Sequence, residues 1–287
     1  MLTHCKFIFI PTISLMLLLL SCNQNPQTHV AENDHGQTVA NTSFDESSLI
    51  KVGEGASVDG DLSATLYASD SLYDTYQSFF IKLNDAKGRP IEKARLQILP
   101  EMKMGMMAHG APVIQPNEET ENGFFKGAVV FIMPSSSESG HRWTLSLLVD
   151  QPDANQNRVS IPVEVKHLKK PRTIAFDGGA DGRFFLSWLN SDSVKVGKQP
   201  AHFILHRISK NEYPAVFDGY EIQLKTHMPD MGHGSEGNQD AKATGNGYYK
   251  GEINLGMPGL WEVQASLLKD GKVVSTEPIV FKVNISE

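Results

Sequence analysis

Asn122-Gly123-Phe124-Phe125-Lys126-Gly127 and, further along, Asn246-Gly247-Tyr248-Tyr249-Lys250-Gly251 are one pattern written twice. Each opens on Asn-Gly, the dipeptide that accepts left-handed backbone at both centres of a tight hairpin turn. Each then enters an apolar strand that ends in Met-Pro, at Met133-Pro134 and Met257-Pro258. A tryptophan strand follows in both: Trp143-Thr144-Leu145-Ser146-Leu147 and Trp261-Glu262-Val263-Gln264-Ala265. Upstream, Ala94-Arg95-Leu96-Gln97-Ile98 corresponds to Tyr220-Glu221-Ile222-Gln223-Leu224. Agreement in order and residue type over so many segments marks an internal repeat.

Within each copy the apolar period is two. Phe79-Phe80-Ile81-Lys82-Leu83 and His202-Phe203-Ile204-Leu205 read as strands. So do the closing segments, where Ile161, Val163 and Val165 alternate in one copy and Ile279, Phe281 and Val283 in the other. Turn chemistry at Lys87-Gly88-Arg89-Pro90 and Lys269-Asp270-Gly271-Lys272 separates strands. Several short strands in about 110 residues predict an immunoglobulin-like β-sandwich. The chain is therefore read as all-β, with two tandem sandwiches at 58–166 and 173–286. The basic linker His167-Leu168-Lys169-Lys170-Pro171 joins them. Trp143 and Trp261 are expected in the cores.

Upstream of the repeats, residues 22–57 are polar, with too little apolar mass to offset chain entropy; they predict a flexible tether. Residues 1–21 have the three parts of a secretory signal. Lys6 supplies positive charge, and the apolar run centred on Leu15-Met16-Leu17-Leu18-Leu19-Leu20 is shorter than a bilayer span. The run ends in Leu19-Leu20-Ser21-Cys22, which resembles a lipobox. Cys22 is then the lipidated residue, anchoring the body to a membrane. Asn23 follows it rather than Asp, and by resemblance to Gram-negative lipoproteins the outer membrane, facing the periplasm, is the expected site.

Composition narrows the function. The 287 residues carry a formal charge of -7 and no Lys/Arg run, so nucleic acid is not the expected partner. The only other cysteine, Cys5, lies in the signal. The mature body thus has no disulfide and no thiolate ligand beyond an acylated Cys22. No nucleophile elbow, phosphate loop or His-Glu-x-x-His helix is present, and the chain is not read as an enzyme.

The chemistry concentrates between the mid-copy strand and the Asn-Gly turn. One copy reads Met102-Lys103-Met104-Gly105-Met106-Met107-Ala108-His109-Gly110; the other reads His227-Met228-Pro229-Asp230-Met231-Gly232-His233-Gly234. Thioether sulfur and imidazole suit Cu(I), and methionine stays neutral and needs no deprotonation to bind. Glycines beside them let a loop fold closely round an ion. His227, Met228, Met231 and His233 are the candidate ligands of the second copy, and Met102, Met104, Met106, Met107 and His109 those of the first. Core filling by methionine is the competing reading, and strand-end packing is the expected role of Met133 and Met257.

These segments resemble the YtkA-like domain, related to FixH-type proteins. The resemblance rests on Gly88-Arg89-Pro90-Ile91-Glu92-Lys93-Ala94, the Met104-Gly105 loop and Gly123-Phe124-Phe125-Lys126-Gly127 in the first copy. In the second it rests on Met228-Pro229-Asp230-Met231-Gly232-His233, Gly247-Tyr248-Tyr249-Lys250-Gly251 and Gly259-Leu260-Trp261. It implies small extracytoplasmic sandwiches associated with copper handling or cytochrome oxidase assembly. The expected function is a lipid-anchored copper carrier or buffer, meeting a membrane transporter or an oxidase assembly protein. The alternative is a metal-free binding module that docks a membrane transporter or receptor through loops or an edge strand.

Overall fold

Alternation in the sequence becomes strand almost everywhere. The structure, a computed structural model, describes residues 45–151, 156–210 and 212–286. The signal segment, Cys22 and most of the tether lie outside them.

In the first unit the strands are β1 (Ile50–Ala56), β2 (Leu62–Ala68), β3 (Leu72–Tyr73), β4 (Tyr76–Asp85), β5 (Arg95–Met104), β6 (Met107–His109), β7 (Val113–Ile114), β8 (Phe125–Val130), β9 (Arg142–Asp150), β10 (Asn157–Val163) and β11 (Val165–Lys166). They form two facing sheets, β1-β2-β4-β8-β7 and β10-β9-β5-β6, with β11 and β3 as a short parallel pair. Period-two alternation sends Phe79, Ile81, Leu96, Ile98, Trp143, Leu145, Leu147 and Ile161 into one buried core.

The second unit has β12 (Thr173–Asp177), β13 (Arg183–Trp188), β14 (Gly197–Arg207), β15 (Tyr220–His227), β16 (Gln239–Gly245), β17 (Tyr248–Leu255), β18 (Gly259–Lys269), β19 (Lys272–Val273) and β20 (Ile279–Ile285). Its hydrogen-bonded path is continuous, β12-β13-β14-β17-β16-β15-β18-β19 with β20 on β18, because β16 pairs both β15 and β17 and joins the layers. A separate core forms around Phe203, Leu205, Ile222, Leu224, Trp261, Val263 and Phe281. Both units are immunoglobulin-like all-β sandwiches, with both tryptophans fully buried.

The two Asn-Gly turns adopt the expected backbone, with φ of 53° and 76° at Asn122 and Gly123 and 50° and 81° at Asn246 and Gly247. Each starts the strand, β8 or β17, that runs to the Met-Pro corner.

One boundary differs from the sequence reading. Residues 50–56, assigned to the tether, form β1 on the edge of the first sheet, so that sandwich begins before residue 58. The segment Ile-Lys-Val-Gly-Glu-Gly-Ala lacks an apolar face because glycines do the packing. A Cβ on Gly55 would sit 2.3 Å from the Ser160 carbonyl oxygen, and one on Gly53 would sit 2.7 Å from an Ile161 methyl. Close backbone approach to β10 replaces side-chain burial, and hydropathy is blind to that exchange.

The outer face of β13 and β14 is closed as well. Phe185, Ser187, Ile204 and His206 are buried although their strand neighbours, not they, fill the second core. Part of the cover comes from the first unit: Thr75 Oγ1 lies 3.0 Å from Thr173 Oγ1, which lies 2.8 Å from Ser187 Oγ.

Candidate metal centre

In the first unit a hairpin, β5 and β6, carries most of the candidate ligands on one face. Met102 is directly opposite His109 on one side and Trp143 on the other, and Met104 is directly opposite Met107. Directly opposed residues, and residues two apart on a strand, share a face. Met102, Met104, Met107 and His109 therefore line one side of the hairpin, while Lys103 and Ala108 line the other. Gly105, with φ of 62°, makes the turn. Exposure grades along the row. Met102 is fully buried, Met104 is half-buried against the core, Met107 is 68% exposed, and Met106 at the tip is 104% exposed.

His109 sits where this row meets the Met-Pro corner. Its ring stands edge-on to Trp143, centroids 5.4 Å apart. Its Nδ1 lies 2.9 Å from the Gly110 carbonyl oxygen, and its Nε2 lies 3.4 Å from Met133 Sδ. A carbonyl only accepts, so Nδ1 carries the proton and donates. In the neutral ring Nε2 then presents a lone pair to a sulfur that also presents lone pairs. In that tautomer an imidazole nitrogen and a thioether sulfur face each other with no hydrogen between them. Metal-ligating histidines recurrently donate their second ring N–H to a backbone carbonyl in this way. Met133 is itself held, since Trp143 Nε1 donates to its carbonyl oxygen at 3.0 Å.

The second unit repeats the frame with a shorter turn. Met228 N–H donates to the His233 carbonyl at 2.8 Å, pairing these residues as Met102 pairs with His109. The β15–β18 register ends at His227 opposite Glu262, which carries Met228 on to face Trp261. Met228 therefore corresponds to Met102, and His233 to His109. Trp261 Nε1 donates to the Met257 carbonyl at 2.9 Å, as Trp143 does to Met133. His233 Nδ1 lies 3.1 Å from the Gly234 oxygen, repeating the His109 tautomer. Met228 is 5% exposed and belongs to the core, and its terminal methyl lies 2.3 Å from where a Cβ on Gly259 would be. His233 is exposed, and Met231, on the turn closed by Gly232, is 59% exposed.

The structure does not bring His227, Met228, Met231 and His233 together. His227 and Met228 are adjacent on an extended backbone and point to opposite faces. His227 lies on the other side of the strand from Met228, half-buried, its Nδ1 3.6 Å from Glu262 Oε2 and beyond hydrogen-bonding distance. Among the first-unit candidates, Met106 lies at the tip, away from His109. The residue that sequence reasoning assigned to packing is Met133, whose sulfur lies 3.4 Å from His109 Nε2. The repeated Met-Pro at both strand ends was the available signal. Among the described residues no group of three or more His, Cys, Asp or Glu is placed to hold a metal ion. The donors brought together here are thioether and imidazole.

No curated protein matches the chain in sequence. Among solved structures, the Escherichia coli adhesin FdeC is 14% identical, over 76% of this chain and 61% of that one, with a TM-score of 0.23. A conserved domain protein from Bacillus anthracis is 11% identical, over 83% and 90%, with a TM-score of 0.25. The D00-D0 domain of intimin is 10% identical, over 76% and 98%, with a TM-score of 0.20. The chain spans less than two thirds of the adhesin structure. Residues 185–266, which run from β13 through most of β18 and include the Met228–His233 turn, match the YtkA-like family.

Proposed function

We propose that this protein is a lipid-anchored lipoprotein of the cell envelope that binds Cu(I) through methionine and histidine, as a non-catalytic carrier or buffer. Cys22 is the anchor, the outer membrane facing the periplasm is the location, and a membrane transporter or oxidase assembly protein is the exchange partner. One observation carries the metal reading: His109 Nε2 faces Met133 Sδ at 3.4 Å while Nδ1 is committed to a carbonyl. Adjacent donors of a tetrahedral site with bonds of about 2.0–2.3 Å lie roughly 3.5 Å apart, so this pair needs little movement to share an ion. His109 and Met133 are the donors, with Met102 the third. Copper bound there would supply no bond-breaking chemistry; the residues would hold it as Cu(I), which thioethers favour over Cu(II). The graded row from Met106 and Met107 through Met104 toward His109 suits passage of a soft ion between surface and interior.

The test is Cu(I) titration of the protein against a competing chelator, with His109→Gln and Met133→Leu alongside. Leu keeps the volume of Met and removes the sulfur. Chelator-resistant binding that either variant abolishes, with cooperative thermal unfolding retained, supports the reading. A parent protein that takes no Cu(I) from the chelator overturns it, and the metal-free docking module becomes the working account.

A further inference from the structure

The donor frame of the first unit recurs in the second, but in a different state of closure. Four correspondences fix the frame. Met228 is paired with His233 as Met102 is with His109. Each histidine has its Nδ1 on the carbonyl of the following glycine. Each tryptophan indole holds the carbonyl of a Met-Pro methionine. Met257, like Met133, is half-buried against its own core.

The difference lies in the histidine. His109 is half-buried, edge-on to Trp143 and already in contact with Met133. His233 is exposed, at the end of a turn held by the Met228 carbonyl, which accepts from Met231 at 3.1 Å and Gly232 at 2.9 Å. Its neighbour Gly234 lies flat on the Thr226 carbonyl. A donor that is already placed loses little freedom on binding, whereas an exposed one must be ordered by the ion.

We infer that the chain holds two Cu(I) ions in unequal sites: a retained ion at His109 and Met133, and an exchangeable ion at His233, Met257 and Met228. This rests on the copper reading above and adds a site and an order of release. The exposed site loads from and unloads to partners, while the closed site stores.

The experiment loads the full-length protein with two equivalents of Cu(I) and follows removal by excess chelator in stopped flow. The parent, Met133→Leu, His109→Gln, Met257→Leu and His233→Gln are compared. Two phases are expected, separated by about tenfold or more in rate. Met257→Leu and His233→Gln should delete the fast phase, and Met133→Leu and His109→Gln the slow one. A single equivalent that Met133→Leu removes and Met257→Leu leaves intact would overturn the second site while the copper reading stands. Two equivalents leaving in one phase would overturn the inequality. No bound equivalent in the parent would remove the copper reading itself. Circular dichroism of each variant separates loss of a site from loss of fold.

Discussion

The hairpin at residues 95–109 and its counterpart at 220–233 carry one arrangement of side chains to different depths. In the first, the turn lies beyond Met104, so the histidine on the returning strand reaches back level with a fully buried methionine and rests on Trp143. In the second, the turn follows Met228 at once, and the returning histidine stays at the surface. Both histidines pair with a buried methionine, but the longer hairpin carries the imidazole that reaches Met133 and the shorter one carries the imidazole at the surface. A short turn economises on ordered chain, and a longer one lets the strand pair add a second row of methionines, Met104 and Met107.

The strongest challenge to this comparison is removal of the tryptophan on which each frame rests. Trp143→Ala and Trp261→Ala each delete a fully buried indole and the hydrogen bond to a Met-Pro carbonyl. Each should cost about 3–5 kcal/mol in denaturant unfolding. If the units are equivalent in frame, the two losses should be similar. If Trp143 also supports His109, its variant alone should disorder that imidazole, visible as a shift of its side-chain NMR signals.

The next effect separates the units by pH. His206, on the covered outer face of β14, is 1% exposed, and burial pushes its imidazole down to about 4. The unfolded chain takes up a proton near pH 6.5 while the folded chain does not, so stability is lost as pH falls from about 6.5 to about 4. The total is about 3 kcal/mol. His202, lowered by burial and by the Lys250 charge, acts in the same direction. Urea midpoints at pH 7.5 and 4.5 measure the drop, and His206→Leu should remove most of it. An unchanged pH dependence in that variant would assign the effect to carboxylates in either unit.

A smaller effect tests the corners that follow the histidines. Gly234 has no room for a side chain, because a Cβ would lie 2.3 Å from the Thr226 carbonyl oxygen. At Gly110 the nearest group is the Tyr213 ring at 3.4 Å, ordinary contact. Gly234→Ala should therefore destabilise by about 1–3 kcal/mol, and Gly110→Ala much less. Equal losses would mean that the two corners are held alike.

Most of the architecture was legible because it rests on periodicity and turn chemistry. The Asn-Gly turns needed left-handed backbone, and the Trp strands alternate cleanly, so the sandwich and its cores followed from residue type. What the sequence concealed had two physical causes. β1 packs through glycine backbone, which leaves no hydrophobic signature. The face that the candidate residues share depends on strand register, which a list of nearby Met and His residues does not contain. His227 and Met228 are neighbours in the chain and opposite in space, whereas His109 and Met133 are distant in the chain and touch. Period two applied inside the loop segment would have separated the first pair. The repeated Met-Pro hinted at the second pair, and the fold joined it.

His227 provides the gentlest discriminating test. It looks like a ligand in sequence, but it lies on the other side of the strand from Met228, beside Glu262, with Lys282 on the other carboxylate oxygen. His227→Gln removes one partner of a half-buried contact too long for a hydrogen bond and should change stability by no more than about 1 kcal/mol. Copper uptake should be unchanged in stoichiometry and in both phases of release. Loss of the fast phase would instead require the strand to unpair at its end and turn His227 inward on binding. In that case the second site would assemble from the loop His227-Met228-Pro229-Asp230-Met231-Gly232-His233, and its depth would be set by the ion rather than by the frame that the first unit already holds in place.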